Sequence, residues 1–185
     1  NKFQKARDAL DFAARCECNR PIDFVYELLA RTCLAMEDIQ GAADAIDQVP
    51  EKKRRPYYRW TEADVLCAKR EFHAARRVLL TCLDRDRRSR HRALIRLSRI
   101  EYLCTNFRKS MEYAEAAGTF FRETWGGFLD DAQFWQALNA YRLRDRERAM
   151  ELAEDLRARN PRYPKLAMLL ARLSGAGHGS KGEEK

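Results

Sequence analysis

No apolar run in the sequence approaches the roughly 18 residues that cross a bilayer, and the opening Asn1-Lys2-Phe3-Gln4-Lys5-Ala6 carries no signal-peptide core. No stretch alternates apolar and polar residues for long enough to propose a sheet. With only eight Gly and five Pro in 185 residues, the chain is neither collagen-like nor disordered by composition. These absences point to an all-α fold with no membrane partner.

Groups for catalysis are equally scarce. His73, His91 and His178 fall in different segments, no Ser-His-Asp or Cys-His arrangement can be assembled, and no Gly-rich loop precedes Lys and Ser or Thr. Neither an enzyme nor a cofactor is expected. Six cysteines (Cys16, Cys18, Cys33, Cys67, Cys82 and Cys104) are scattered through helical segments, which favours reduced thiols and a cytoplasmic location. Cys16-x-Cys18 is the one close pair, and no second pair or nearby His completes a zinc spacing, so no metal is expected.

What the sequence does have is helix formers and a repeat. Hydrophobic residues make up 45% and charged residues 35%, enough for one folded domain. Aligning Ala6, Ala42, Ala75, Ser110 and Ala149 gives spacings of 36, 33, 35 and 39 residues, each the length of one helix-turn-helix unit. Three residues before these anchors stand Phe3, Ile39, Phe72, Phe107 and Arg146, and four after them Leu10, Ile46, Leu79, Ala114 and Ala153. Seven after them stand Ala13, Val49, Cys82, Ala117 and Leu156. Offsets of three, four and seven share one helical face, so this is the buried stripe of a second helix. Twelve residues before the anchors lie Ala30, Ala63, Ser98 and Ala137, a small residue at a fixed place in each first helix. Antiparallel helices approach closely only where side chains are short.

These columns resemble the tetratricopeptide repeat family, from Asn1 to about Ser174. The match is best from Leu138-Asn139-Ala140-Tyr141 through Ala149 to Asn160-Pro161. The glycine that the family often has between its helices is replaced by Glu37, Arg70, Thr105 and Arg144, and the usual aromatic of the first helix by Cys33, Leu66 and Glu101. The resemblance implies a right-handed superhelical solenoid of antiparallel hairpins. A lone second helix from 1 to 16 comes first, then hairpins near 22–49, 56–86, 90–122 and 130–159, and a capping helix at 163–173. Pro21 and Pro56 sit where first helices begin. Residues 1–174 form the expected repeat domain, and the Gly-rich stretch 175–185 a flexible tail. Because the first helix is already in second-helix register, the expectation is a piece of a longer protein.

In this family the first helices line a concave groove. Transferred by register, that surface holds Phe24, Glu27, Arg31 and Leu34, then Tyr57, Trp60 and Asp64, then Arg92, Ile95, Arg99 and Tyr102. Aromatic and Arg side chains dominate binding hot spots, which makes Arg31, Tyr57, Trp60, Arg92, Arg96, Arg99 and Tyr102 the candidate partner-binding residues. Tyr57 and Trp60 have an alternative role, packing between hairpins. Some family members grip acidic peptide tails with paired cations. Here Arg92 and Arg96 keep the spacing of the later pair, but Glu27 and Arg31 stand in place of the earlier one, so that clamp is not expected.

The net charge of +8 concentrates in Lys52-Lys53-Arg54-Arg55 and in Arg85, Arg87, Arg88, Arg90, Arg92, Arg96 and Arg99. With Tyr57, Tyr58 and Trp60 interleaved, nucleic-acid binding by basic inter-repeat loops is the rival function. The longest link carries Trp125-Gly126-Gly127-Phe128, which either anchors a partner or folds back to fill a gap. The expected function is a protein-interaction scaffold whose partner, a protein or peptide, has acidic and apolar residues. The sequence leaves the oligomeric state open.

Overall fold

A computed structural model describes residues 2–16 and 23–175. Among these residues there are ten α-helices and no strand. They are α1 (Lys2–Arg15), α2 (Asp23–Ala35), α3 (Ile39–Asp47), α4 (Pro56–Ala68), α5 (Phe72–Arg85), α6 (Arg90–Leu103), α7 (Phe107–Trp125), α8 (Asp130–Arg142), α9 (Arg146–Arg159) and α10 (Leu166–Gly175). Helices α2/α3, α4/α5, α6/α7 and α8/α9 form the four hairpins anticipated from the repeat. The chain divides into two compact units, Asn1–Arg87 and Arg88–Lys185. Pro56 opens α4 at its first turn, where the missing amide hydrogen goes unneeded. Pro21 and the tail beyond Gly175 lie outside the described residues, and Gly175 itself closes α10.

The small-residue columns of both helices are buried in every hairpin. Ala30, Ala63, Ser98 and Ala137 of the first helices are buried, as are Ala42, Ala75, Ser110 and Ala149 of the second. In the α6/α7 hairpin serine replaces alanine on both sides. There Ser110 Oγ donates to the Ser98 carbonyl at 2.7 Å, and the two hydroxyl oxygens lie 3.0 Å apart. Asn139 of α8 adds a bond from Nδ2 to Ser110 Oγ at 2.8 Å. The buried hydroxyls therefore satisfy one another, which removes the desolvation cost of placing them in a core.

All four hairpin turns share one geometry. Glu37, Arg70, Thr105 and Arg144, at the positions where the repeat family favours glycine, have φ of 62°, 63°, 62° and 68°. The next residue in each case donates its N–H five residues back: Asp38 to Cys33, Glu71 to Leu66, Asn106 to Glu101 and Asp145 to Ala140, at 2.8–3.0 Å. This is a Schellman closure of the first helix. The left-handed conformation persists without glycine because two backbone bonds and the packed helices on either side hold it. The new helix is then capped by side chains in two hairpins, Asp38 accepting from the Gly41 N–H at 2.8 Å and Asp145 from the Arg148 N–H at 3.2 Å. A Cβ on Gly41 would lie 2.4 Å from Asp38 Oδ2, so the glycine leaves room for that cap.

Successive hairpins in the first unit are joined through polar groups as well as apolar ones. The buried Tyr58 hydroxyl lies 3.0 and 2.9 Å from the carbonyls of Ala45 and Ile46 at the end of α3. Arg54 reaches the same place, donating to the Val49 and Ile46 carbonyls and to Glu62 at 2.7 Å, with its guanidinium over the Tyr58 ring. These groups satisfy carbonyls that a helix C-terminus leaves open. Burial pushes the Tyr58 phenol well above its ordinary value. In the second unit α10 lays Leu166, Leu169 and Leu173 against the last hairpin. It begins three residues later than the pattern suggested, after a turn in which the Tyr163 hydroxyl donates to Asp131 at 2.6 Å.

The first helix departs from its neighbours. Phe3 and Ala6, in the columns that are core elsewhere, are exposed, and none of α1 is buried. Its attachment comes from half-buried Leu10 against the first core and from Arg7, which donates to Asp38 at 2.8 Å.

Two stability outcomes follow from this geometry. Ala75→Leu inserts volume into a closed hairpin contact and lowers unfolding free energy by about 1–3 kcal/mol in denaturant titrations, whereas Ala6→Leu at the exposed equivalent changes it little. Thr105→Gly relieves a β-branched residue of a left-handed backbone and raises stability by about 0.5–1 kcal/mol after the entropy cost of glycine is subtracted. A loss at Thr105→Gly would mean that the threonine side chain stabilises the turn by contacts of its own.

Candidate functional site

The candidate residues fall on the first helices of two separate units. Arg31 on α2 is exposed, and its guanidinium lies 3.8 Å from Glu27, one turn back on the same helix. Glu27 itself is buried and accepts a 2.6 Å bond from Thr61 of α4. Tyr57 is half-buried: its ring packs against the first core and its hydroxyl donates to Asp23 at 2.8 Å. Trp60 is 7% exposed. Tyr57 and Trp60 are thus largely covered, whereas Arg31 and Phe24 are exposed. Glu27 and Trp60 occupy equivalent places in α2 and α4, three residues before the small residue of each first helix, and both are buried.

In the second unit Arg92 and Arg99 are exposed and Arg96 is half-buried on α6. The Arg96 guanidinium donates to the Arg92 carbonyl at 3.2 Å, which aligns the side chain along the helix. Tyr102, one turn further, is half-buried in an aromatic cluster with Phe107 and with Trp135 of α8, at centroid separations of 5.3 and 5.4 Å. Arg142 covers Phe107 at 4.7 Å and Tyr102 at 5.8 Å. The result is an arginine row ending in a cation-covered aromatic platform. Trp135 was not among the candidate residues, although it holds in α8 the register position that Arg96 holds in α6, two before the small residue. Counting that column would have found it.

The basic stretch after the first hairpin is partly internal. Arg54 is committed to Glu62 and to α3 carbonyls, with its side chain 11% exposed. Arg59 of α4 pairs with Glu51 and Glu62, both at 3.3 Å, and Arg55 with Asp23 at 3.4 Å. Lys52 and Lys53 remain on the surface in a short 3-10 turn. Trp125 and Phe128 do not fold back: they are 57% and 64% exposed, with Arg122 and Arg159 against the Phe128 ring.

Two surface clefts among the described residues are lined by other side chains. A cleft of about 540 Å³ beside α4 and α5 is lined by Arg54, Arg59, Glu62, Arg77 and Arg85, and one of similar size beside α6 and α7 by Arg90, Glu112, Glu115 and Glu123. Of the candidate residues, Arg31, Arg92 and Arg99 lie on exposed helix surface. Among the described residues no cluster of three or more His, Cys, Asp or Glu is arranged to hold a metal ion, and no helix is long and apolar enough to cross a membrane.

No protein-family model matches the sequence, and no curated protein matches it either. Solved structures do match its fold. A MamA RS-1 double mutant aligns over 88% of this chain and 88% of its own, at 13% identity and a TM-score of 0.62. Residues 41 to the end of MamA from Desulfovibrio magneticus RS-1 align over 89% of this chain and all of their own, at 11% identity and a TM-score of 0.56. A signal-transduction ATPase with a tetratricopeptide repeat sensor from Pyrococcus horikoshii aligns over 94% of this chain, at 19% identity and a TM-score of 0.67, and the chain spans 28% of that protein. The fold is thus of the tetratricopeptide repeat type, as the small-residue columns implied.

The Tyr57 hydroxyl offers a local check on the first face. Burial, and then its bond to Asp23, push its ionisation up to about 12 from 10. A raised folded value means that the neutral phenol is favoured by folding, so this contribution is complete below pH 10 and is lost as pH rises from 10 through about 12. Absorbance titration should show an ionisation near pH 12 that is absent in Tyr57→Phe, and Asp23→Asn should move it earlier. Ordinary titration of Tyr57 would remove the bond from the account.

Proposed function

We propose that the chain is a protein-interaction module whose first-helix faces receive an extended or helical segment of a partner carrying acidic and apolar residues. The observation that supports this best is the α6 face, where Arg92, Arg96 and Arg99 run toward the Tyr102–Trp135 platform. A carboxylate-bearing segment meets guanidinium groups at one end of the row and aromatic surface at the other. Arg31 and Phe24 offer a smaller version of the same pairing on α2. Preformed helices lose little conformational entropy on binding, so a few anchors give useful affinity. Tyr57 supports the first face from beneath, through its bond from α4 to Asp23 of α2.

Binding rather than catalysis is the activity this assigns, and a tetratricopeptide-type fold suits it. Nucleic acid is the second reading, carried by the number of arginines. The internal pairing of Arg54, Arg55 and Arg59 weighs against it, because those cations already have carboxylate partners.

An array of peptides rich in Asp, Glu, Leu and Phe, with Lys-for-Glu copies as controls, distinguishes the readings when run beside single-stranded and duplex oligonucleotides. The expected result is binding of acidic peptides alone. Arg92→Glu, Arg96→Glu and Arg99→Glu combined should reduce it at least about tenfold with helical circular dichroism unchanged. Oligonucleotide binding without peptide binding would transfer the function to the basic loops.

A further inference from the structure

The second helices carry a charge column that the α4/α5 hairpin inverts. Two residues after the small anchors stand Asp8 on α1, Asp44 on α3, Glu112 on α7 and Glu151 on α9, all exposed. On α5 the same position is Arg77, also exposed. Residues four apart share a helix face, and Thr81 and Arg85 follow Arg77 at that interval. All three line the cleft of about 540 Å³ beside α4 and α5. The cleft beside α6 and α7, by contrast, is lined from its second helix by Glu112, Glu115 and Glu123. The inversion therefore changes the character of a cleft, not of one surface position.

The carboxylates that line the α4/α5 cleft already have cations. Glu62 of α4 lies 2.7 Å from Arg54 and 3.3 Å from Arg59, and none of these three side chains is more than 16% exposed. Arg59 also reaches Glu51 at 3.3 Å, while Glu71 lies 3.5 Å from Lys69. Arg77 and Arg85 have no ion-pair partner among the described residues. The cleft thus has a base fixed by its own ion pairs and, on one wall, two guanidinium groups with their donors uncommitted. Guanidinium forks bind phosphoryl oxygens in pairs. Arg77 and Arg85 are eight residues apart, about 12 Å along the helix axis. A linear chain of phosphoryl groups offers oxygens along that line, whereas a single phosphate engages one fork at a time.

We propose that this cleft is a binding site for a small anion carrying a linear chain of phosphoryl groups, held by Arg77 and Arg85 over the Arg54–Glu62–Arg59 base. The chain is either free or the tail of a larger small molecule. The site shares no residue with the α6 face, so it stands or falls independently of peptide binding.

Calorimetric titration of the 185-residue chain at fixed ionic strength tests this, with tripolyphosphate and a nucleoside triphosphate as probes and inorganic phosphate and citrate as comparators. The expected result is one tripolyphosphate per chain, bound at least about tenfold more tightly than either comparator. A nucleoside triphosphate that binds more tightly still would identify the chain as a tail, and equal binding would identify it as free. Arg77→Glu and Arg85→Gln, both at exposed positions, should each lower the affinity at least about tenfold with helical circular dichroism unchanged. The combined Arg92→Glu, Arg96→Glu and Arg99→Glu variant removes more positive charge yet should change it less than about threefold, because salt screens distant exposed charges. Absence of tripolyphosphate binding, citrate binding of equal strength, several anions per chain, or an equal loss in the α6 variant would each overturn the site. A single-stranded oligonucleotide that displaces tripolyphosphate at a lower concentration of phosphate groups would assign the arginines to a nucleic-acid backbone and overturn it as well.

Discussion

The close approach of two antiparallel helices is the constraint on which everything else here depends. Each hairpin closes where a small residue of the first helix meets a small residue of the second, and a longer side chain at either place would separate the axes. Alanine meets this requirement with no polar group to satisfy. The Ser98–Ser110 pair meets it differently, since the hydroxyls bond to each other, to a carbonyl and to Asn139. That network ties α8 to the α6/α7 hairpin, so one polar substitution in the column also links neighbouring hairpins.

The turns are the second constraint, and they show how a repeat is kept when its usual residue is lost. Glu37, Arg70, Thr105 and Arg144 all take the left-handed backbone despite their Cβ atoms. Departure from glycine alters local energy without altering topology, because the helices on both sides are already bound to each other. Their sequence positions were legible as departures, but that the geometry survives them was not. It depends on helix-helix contacts that outweigh the roughly 1–2 kcal/mol preference against such a backbone.

Much of the fold was legible because it is periodic. Four hairpins, the early lone helix and a final helix follow from columns at offsets of three, four, seven and twelve. The binding faces were less so. Arg31 of α2 and Trp60 of α4 both fall in the columns assigned to the binding face, yet Trp60 is buried and Arg31 exposed. Charge was similarly ambiguous: Arg54 reads as part of a basic loop but is held by Glu62, eight residues away, and by the end of α3. Composition counts cations without showing which already have partners. The exposed Trp125 and Phe128 likewise show that two glycines beside aromatics mark a turn without deciding which way the rings point.

The central claim, that each hairpin closes on its small-residue columns, is tested most directly at Ser98 and Ser110. With their hydroxyl oxygens 3.0 Å apart, a Ser98→Cys, Ser110→Cys chain places two sulfurs within bonding reach. Mild oxidation followed by peptide mapping should recover a disulfide between these two positions in folded protein. A folded double variant in which neither cysteine links to the other, or in which residue 98 links instead to a position outside the column, would contradict the register on which the whole account rests.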